Sequence, residues 1–189
     1  ANIREHDSWV HPHEHQKATQ KAKDIVRMAV AKATLLESQT EPEVEVKDSS
    51  LVIGAGVAGL TSALSMASQG FKVYLVEKEK EPGGTIRHLH KLYPTLANAS
   101  EVVEPLIEAV RSHKNIELMT STTPKDVSGY IGNFNVVTTG PEGDREMNVG
   151  TIIVAPGSSS YTPPKSLYGY GALDGVITQR ELDEKLKKG

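Results

Sequence analysis

The ten residues Leu51 to Leu60, LVIGAGVAGL, constrain the fold more than any other stretch of this chain. A short apolar run that meets three glycines in six residues and then resumes with small apolar residues reads as strand, tight turn and helix. In Gly54-Ala55-Gly56-Val57-Ala58-Gly59 the first glycine permits the turn and the second lets a pyrophosphate approach the backbone. The third lets helix and strand pack closely, and the helix N-terminus faces the anion with free N–H groups and a partial positive charge. Glycine-rich turns are common, and the strand before and helix after give this one its meaning. It predicts a dinucleotide site whose candidate contacts are Gly54, Gly56, Val57, Ala58 and Gly59.

The neighbouring segments complete a βαβ unit. The helix from Val57 to Gln69 stops at Gly70, and Lys72 to Glu77, KVYLVE, forms a second buried strand. Asn98 and Glu101 have capping-box spacing for a helix to about His113, with Pro105 expected to delay or kink it. IELMT, Ile116 to Thr120, supplies a third strand. Val127 to Thr139 and Arg145 to Val149 read as strands broken by the turns GYIGN and GPEGD, an antiparallel excursion. TIIVAPG then returns as a wholly apolar buried strand, and Thr178 to Lys188 as a short charged helix.

Ahead of this domain, Ala18, Ala22, Ile25, Val26, Ala29, Val30, Ala33 and Leu36 recur at spacings of three and four, an amphipathic helix from Gln16 to about Leu36. The acidic, Pro42-containing stretch Glu37 to Asp48 is a connector. Two parts are expected: 1–48 as N-terminal helix and linker, and 49–189 as the α/β domain. The N-terminal helix would pack on that domain or on a partner.

With 21 basic and 24 acidic residues, no strong field points to nucleic acid or an anionic membrane. No apolar run approaches the roughly 20 residues of a membrane span, and the N-terminus lacks a signal-peptide core. A cytoplasmic protein is expected, with oligomerisation possible. The absence of cysteine removes thiol catalysis and cysteine-ligated clusters from this chain, so redox work would need a bound cofactor. A start at Ala1 and an end at Gly189, just past a charged helical pattern, fit a fragment of something larger.

Glu77 lies at the second strand's end, about twenty residues past the turn, where a carboxylate can accept both ribose hydroxyls and disfavour a 2′-phosphate. The plainer alternative is a solvated strand end, with EKEKE a charged face that includes Lys78. EPGGTIR places Gly83, Gly84 and Thr85 where a loop could pass a bulky cofactor, with Arg87 placed to meet a phosphate or an anionic ring. The turn Ala155-Pro156-Gly157 brings backbone past the cofactor again.

The order of glycine turn, acidic strand end, Gly-Gly loop, antiparallel excursion and apolar strand resembles the FAD domain of the two-dinucleotide-binding-domain flavoproteins. ANIREHDSWVH, KATQKAKDIVRMAVAKA, VYLVEKEKEPGG, KLYPT, VSGYIGNF and VGTIIVAPG are similar, more specifically, to the A-subunit family of heterodisulfide reductase. The similarity runs to VITQREL and so covers nearly the whole chain. It implies a three-layer, Rossmann-like α/β domain with a mainly parallel sheet. It also implies FAD at Gly54, Gly56, Gly59, Glu77, Gly84 and Gly157, and partner subunits of an oxidoreductase complex to which the flavin passes electrons. Other readings from the residues are an NAD(P)-binding module, or a cofactor-free assembly module docking through its first helix.

The chain departs from that family at several positions. Asp7 stands where a cluster-linked cysteine is common, and LANAS follows YPT where cysteines are usual. GPEGDRE replaces a cysteine-rich insert, and Pro156 replaces a threonine. Pro124 lies where backbone often recognises the adenine edge, and proline has no N–H to donate, which leaves Thr123 or Lys125 to take over. The second dinucleotide domain and the segment that holds the ribityl chain are missing from these residues.

His11, His13 and His15 with Glu14 could hold a metal, but they read as easily as solvated polar sequence, and no metal site is expected. Trp9 reads as a packing anchor. His88 and His90 could relay protons to a flavin or simply face solvent. No nucleophile with a paired base stands out, so the catalytic residues are unknown from sequence.

Overall fold

The computed structural model describes residues 1–41 and 43–188, and the chain divides into two compact units, Ala1–Glu43 and Val44–Gly189. The first unit holds a π-helical turn, Arg4–Ser8, and helix α1, His15–Ala33. None of the α1 side chains is buried, and Val26, Met28 and Val30 stand exposed on it. Trp9 is no packing anchor. It is exposed, and the Arg4 guanidinium lies 5.3 Å from its ring centroid, because a large ring without a core to enter stacks on the nearest cation. Asp7 is buried in the π-helical turn with Oδ1 lacking a hydrogen-bond partner.

In the second unit, β1 (Ser49–Ile53), α2 (Val57–Ser68) and β2 (Lys72–Val76) form the expected βαβ unit. Gly70, at φ +99°, ends α2 where the sequence places its stop. A small ladder of β3 (Lys91–Leu92) and β4 (Ala97–Asn98) leads into α3 (Ala99–Ser112). The helix runs through Pro105. The capping box does not form: Asn98 Nδ2 donates to Glu101 Oε1 at 2.7 Å, and no side chain caps the helix backbone.

Strand β5 (Ile116–Met119) follows, then β6 (Thr123–Tyr130), β7 (Asn133–Gly140) and β8 (Gly143–Val149), which pair antiparallel in that order. β6 begins four residues earlier than the β-branched pattern suggests, because Pro124 sits at a register shift where a missing N–H is tolerated. β9 (Thr151–Val154) returns to the parallel sheet, whose order is β5-β2-β1-β9. α4 (Gln179–Lys188) ends the described chain.

Alternation along each strand sorts the side chains into two cores. Val52, Val73, Leu75, Leu118 and Ile153 face α2 and α3, meeting Leu60, Ala63, Val103 and Ile107. Leu51, Ile53, Tyr74, Val76, Met119 and Ile152 face the antiparallel sheet and meet Val136, Met147 and Val149. Helices, parallel sheet and antiparallel sheet therefore make three layers, and each fully buried Val or Leu contributes about 1.5–3 kcal/mol. β9 is not wholly buried as its composition suggests: Val154 is 68% exposed, because β9 is an edge strand paired on one side only.

A charged cluster ties the two sheets together at their margin. Glu117 on β5 bonds Arg145 on β8 and lies 3.2 Å from Lys72 Nζ on β2, while both cations sit over the Tyr74 ring. The Arg145 guanidinium, helped by Lys72, holds the Glu117 carboxyl below the usual carboxylate range. A depressed folded value means stability that is present above the unfolded value and is lost as pH falls through the folded one. Glu117→Gln should therefore lower stability at pH 7 by about 0.2–1 kcal/mol, the range for partly exposed pairs, and its deficit should shrink at an acid pH where the wild-type carboxyl is protonated in the folded state. Urea midpoints at the two pH values measure this.

Candidate functional site

From β1 the chain moves outward to β2 and β5 on one side and comes back as β9 on the other, so the strand order reverses between β1 and β9. In open α/β sheets ligands bind outside the carboxyl ends of the strands at such a reversal. The glycine turn lies at the carboxyl end of β1. Gly54 has φ +99°, and a Cβ there would lie 2.2 Å from the Ala155 carbonyl oxygen. A Cβ on Gly59 would lie 1.8 Å from the Gly54 oxygen. These contacts seat α2 on β1 and the Ala155-Pro156 turn on Gly54.

Gly56 is different. Its backbone is extended, at φ −75° and ψ −176°, and a Cβ there would meet nothing within 4 Å. No side chain caps α2, and its first bond from this end runs from Leu60 N to the Gly56 oxygen at 2.9 Å. The amides of Val57, Ala58 and Gly59 thus stand in the helix's unpaired first turn, with Val57 and Ala58 exposed.

The Gly-Gly loop packs against the turn. Gly83 N donates to the Ala55 oxygen at 2.7 Å, and a Cβ on Gly84 would come within 3.0 Å of Gly56 Cα. Both glycines have positive φ, +119° and +60°. Thr85 and Arg87 follow on a short 3-10 turn, Gly84–His88; both are exposed, with the Arg87 methylenes lying against Gly83.

Glu77 is buried, 6% exposed, which removes the solvated reading. Its Oε2 accepts from Ala55 N at 2.7 Å and its Oε1 from Glu79 N at 3.0 Å. Its own backbone is held by Met119 and Thr122, since Glu77 N donates to Met119 O at 2.9 Å and Thr122 N to Glu77 O at 2.8 Å. Pro124, two residues on, is exposed at the start of β6 opposite Thr138. Lys78 is exposed just past Glu77, and Gly157 has φ +71° with open space around it.

The structure thus packs Glu77, Gly83, Gly84, Ala155 and Pro156 against the turn 54–59, while Lys78, Thr85, Arg87, Pro124 and Gly157 occupy exposed positions of the adjoining loops. Sequence reasoning missed how α4 is tied back to the Gly-Gly loop. Asp183 Oδ2 accepts from His90 N at 2.8 Å, and Lys187 Nζ donates to the Arg87 oxygen at 3.0 Å. Thr178 and Glu181 cap α4 reciprocally: Glu181 N donates to Thr178 Oγ1 at 3.2 Å and Thr178 N to Glu181 Oε2 at 2.6 Å, a pairing that the spacing TQRE signals. A cavity of about 390 Å³ lies there, bounded by Thr85, His88, Lys91, Tyr161, Arg180 and Asp183. Among the described residues no three metal-ligating side chains gather as a metal site.

A family model described as pyridine nucleotide-disulphide oxidoreductase matches residues 48–187. The chain belongs to the pyridine nucleotide-disulphide oxidoreductase family. Membership makes the second unit a module of the redox-flavoprotein type. Within the family the chain is 53% identical over 136 residues to the A-subunit of the H(2):CoB-CoM heterodisulfide,ferredoxin reductase of Methanothermobacter marburgensis, covering 72% of this chain and 21% of that protein. It is also 53% identical over 135 residues to an iron-sulfur A-subunit of the CoB--CoM heterodisulfide reductase of Methanopyrus kandleri, covering 71% and 20%. The chain thus spans about a fifth of the length of these relatives. Their names describe subunits of multisubunit reductases. The L-proline dehydrogenase of P. horikoshii shares the fold, with a TM-score of 0.55 at 24% identity over 67% of this chain and 26% of that one. No helix among the described residues is long and apolar enough to cross a membrane.

Proposed function

We propose that the chain is the FAD-binding module of an oxidoreductase like the A-subunit of heterodisulfide reductase. In this reading residues 49–189 form the FAD domain and residues 1–48 an arm for partner subunits of a cytoplasmic complex. The single observation that carries it is the open approach at Gly56 beside an uncapped helix end, with a buried carboxylate one strand away. A diphosphate requires bare backbone donors with no side chain standing over them, and this helix end supplies them. The amides of Val57, Ala58 and Gly59 take the phosphate oxygens, and Glu77 accepts from the adenosine sugar. Gly83, Gly84, Ala155, Pro156 and Gly157 let backbone pass close to the cofactor, and the Arg87 guanidinium meets its anionic portion. Lys78, Thr85 and Pro124 border the ligand. Bound FAD would supply a ring that takes up electron pairs and hands them on; this chain's residues hold and orient the nucleotide half.

Membership of the pyridine nucleotide-disulphide oxidoreductase family supports a flavin-type cofactor for this reading. After reconstitution and gel filtration, flavin absorbance should co-elute with the chain at about one FAD per protein. Flavin eluting free from saturating mixtures would overturn the proposal. The exposed apolar residues of α1 favour a second reading, an assembly module that docks through this helix. Calorimetry with FAD and with NADH separates the readings, since an assembly module takes neither and a nicotinamide module takes NADH.

A further inference from the structure

The geometry points to Glu77 as a positioning residue: its buried carboxylate is the latch that holds the glycine turn in shape before any ligand arrives. A carboxylate that is 6% exposed needs hydrogen-bond donors to offset its burial, and it has two. One is Ala55 N at 2.7 Å, 22 residues away in the chain, and the other is Glu79 N at 3.0 Å. Bonds from N–H to an ionised oxygen are roughly twice as strong as neutral ones. The carbonyl of Ala55 is held at the same time by Gly83 N at 2.7 Å, so the residue is fixed at both polar ends and its side chain is fully buried. Gly56, the one glycine of the turn whose Cβ position is open, is therefore carried on a clamped neighbour. Clamping it in advance removes ordering cost from the binding of an anion.

Each carboxylate oxygen has further lone-pair capacity after accepting one N–H. A sugar diol can therefore bond Glu77 without opening the latch, whereas a sugar phosphate would bring a second anion against a carboxylate that two backbone amides hold in place. The acid at this position thus has two duties, and exchanging it for a neutral residue loosens the turn as well as the sugar contact. The latch itself needs no ligand; its bearing on the sugar rests on the adenosine-diphosphate reading above.

Two measurements on the 189-residue chain test this. Without ligand, Ala55 and Glu79 should show slow amide exchange and trans-hydrogen-bond couplings to the Glu77 carboxylate carbon. An Ala55 amide that exchanges as fast as an exposed loop residue overturns the latch, and this result stands even if Glu77 variants fail to fold or no nucleotide binds. The second measurement compares ADP with 2′,3′-dideoxy-ADP, which lacks the sugar hydroxyls, on wild type and Glu77→Gln. Loss of the latch should weaken the dideoxy compound about tenfold, because the glutamine amide opposes one of the two N–H donors. A Glu77→Gln chain that loses affinity only for ADP would show a sugar contact and no latch.

Discussion

Gly59→Ala should lower the melting temperature by roughly 5–15 °C, or prevent folding. The added Cβ would stand 1.8 Å from the Gly54 oxygen and 2.9 Å from its carbonyl carbon, both backbone atoms that no rotamer change can move. Overpacking usually costs about 1–3 kcal/mol and occasionally more, and a backbone obstacle belongs at the upper end. Alanine recovers about 1 kcal/mol of helix propensity over glycine, so a net loss of roughly 2 kcal/mol or more remains. In a chain of this length each kcal/mol is worth about 2–4 °C. Circular dichroism melts without ligand measure it, and an unchanged melting temperature would mean that α2 does not rest on the turn.

Gly56→Ala, three residues away, should have the opposite profile. The residue is extended and the new methyl meets nothing within 4 Å, so the fold accepts it. Restricting the unfolded chain could even stabilise the protein by about 0.4–1 kcal/mol. The methyl, however, would stand in the open space beside the first turn of α2, where the proposed diphosphate lies. FAD affinity should fall at least tenfold, about 1.4 kcal/mol, while the ligand-free melt is unchanged or higher. Fluorescence titration reads the first and the melt the second; wild-type affinity in this variant would remove the diphosphate from the turn. The pair separates a glycine needed for packing from one needed for access.

Much of the fold was legible because its signals are local. The stop at Gly70, the strand KVYLVE and the turn after Ile53 lie within a residue or two of where the spacing places them. The failures have physical causes of their own. TIIV is as apolar as a central strand, but composition does not say how many neighbours a strand has, and β9 lies at an edge. Asn98 and Glu101 have capping-box spacing, yet their side chains bond each other. Trp9 reads as a packing anchor, yet its ring lies exposed under Arg4. The reciprocal cap of α4 was within reach of the same rule and was missed in a charged stretch.

The sequence by itself determined that a strand, a glycine turn and a helix follow one another from Leu51, and that an acid ends the next strand. Those choices rest on backbone freedom and side-chain periodicity within a few residues. Only the tertiary structure decided that Glu77 reaches back across 22 residues to the Ala55 amide, that Gly83 clamps the Ala55 carbonyl, and that Gly56 alone of the three glycines in the turn is left open. Those facts depend on which strands become neighbours, and that is settled by the packing of three layers around two cores.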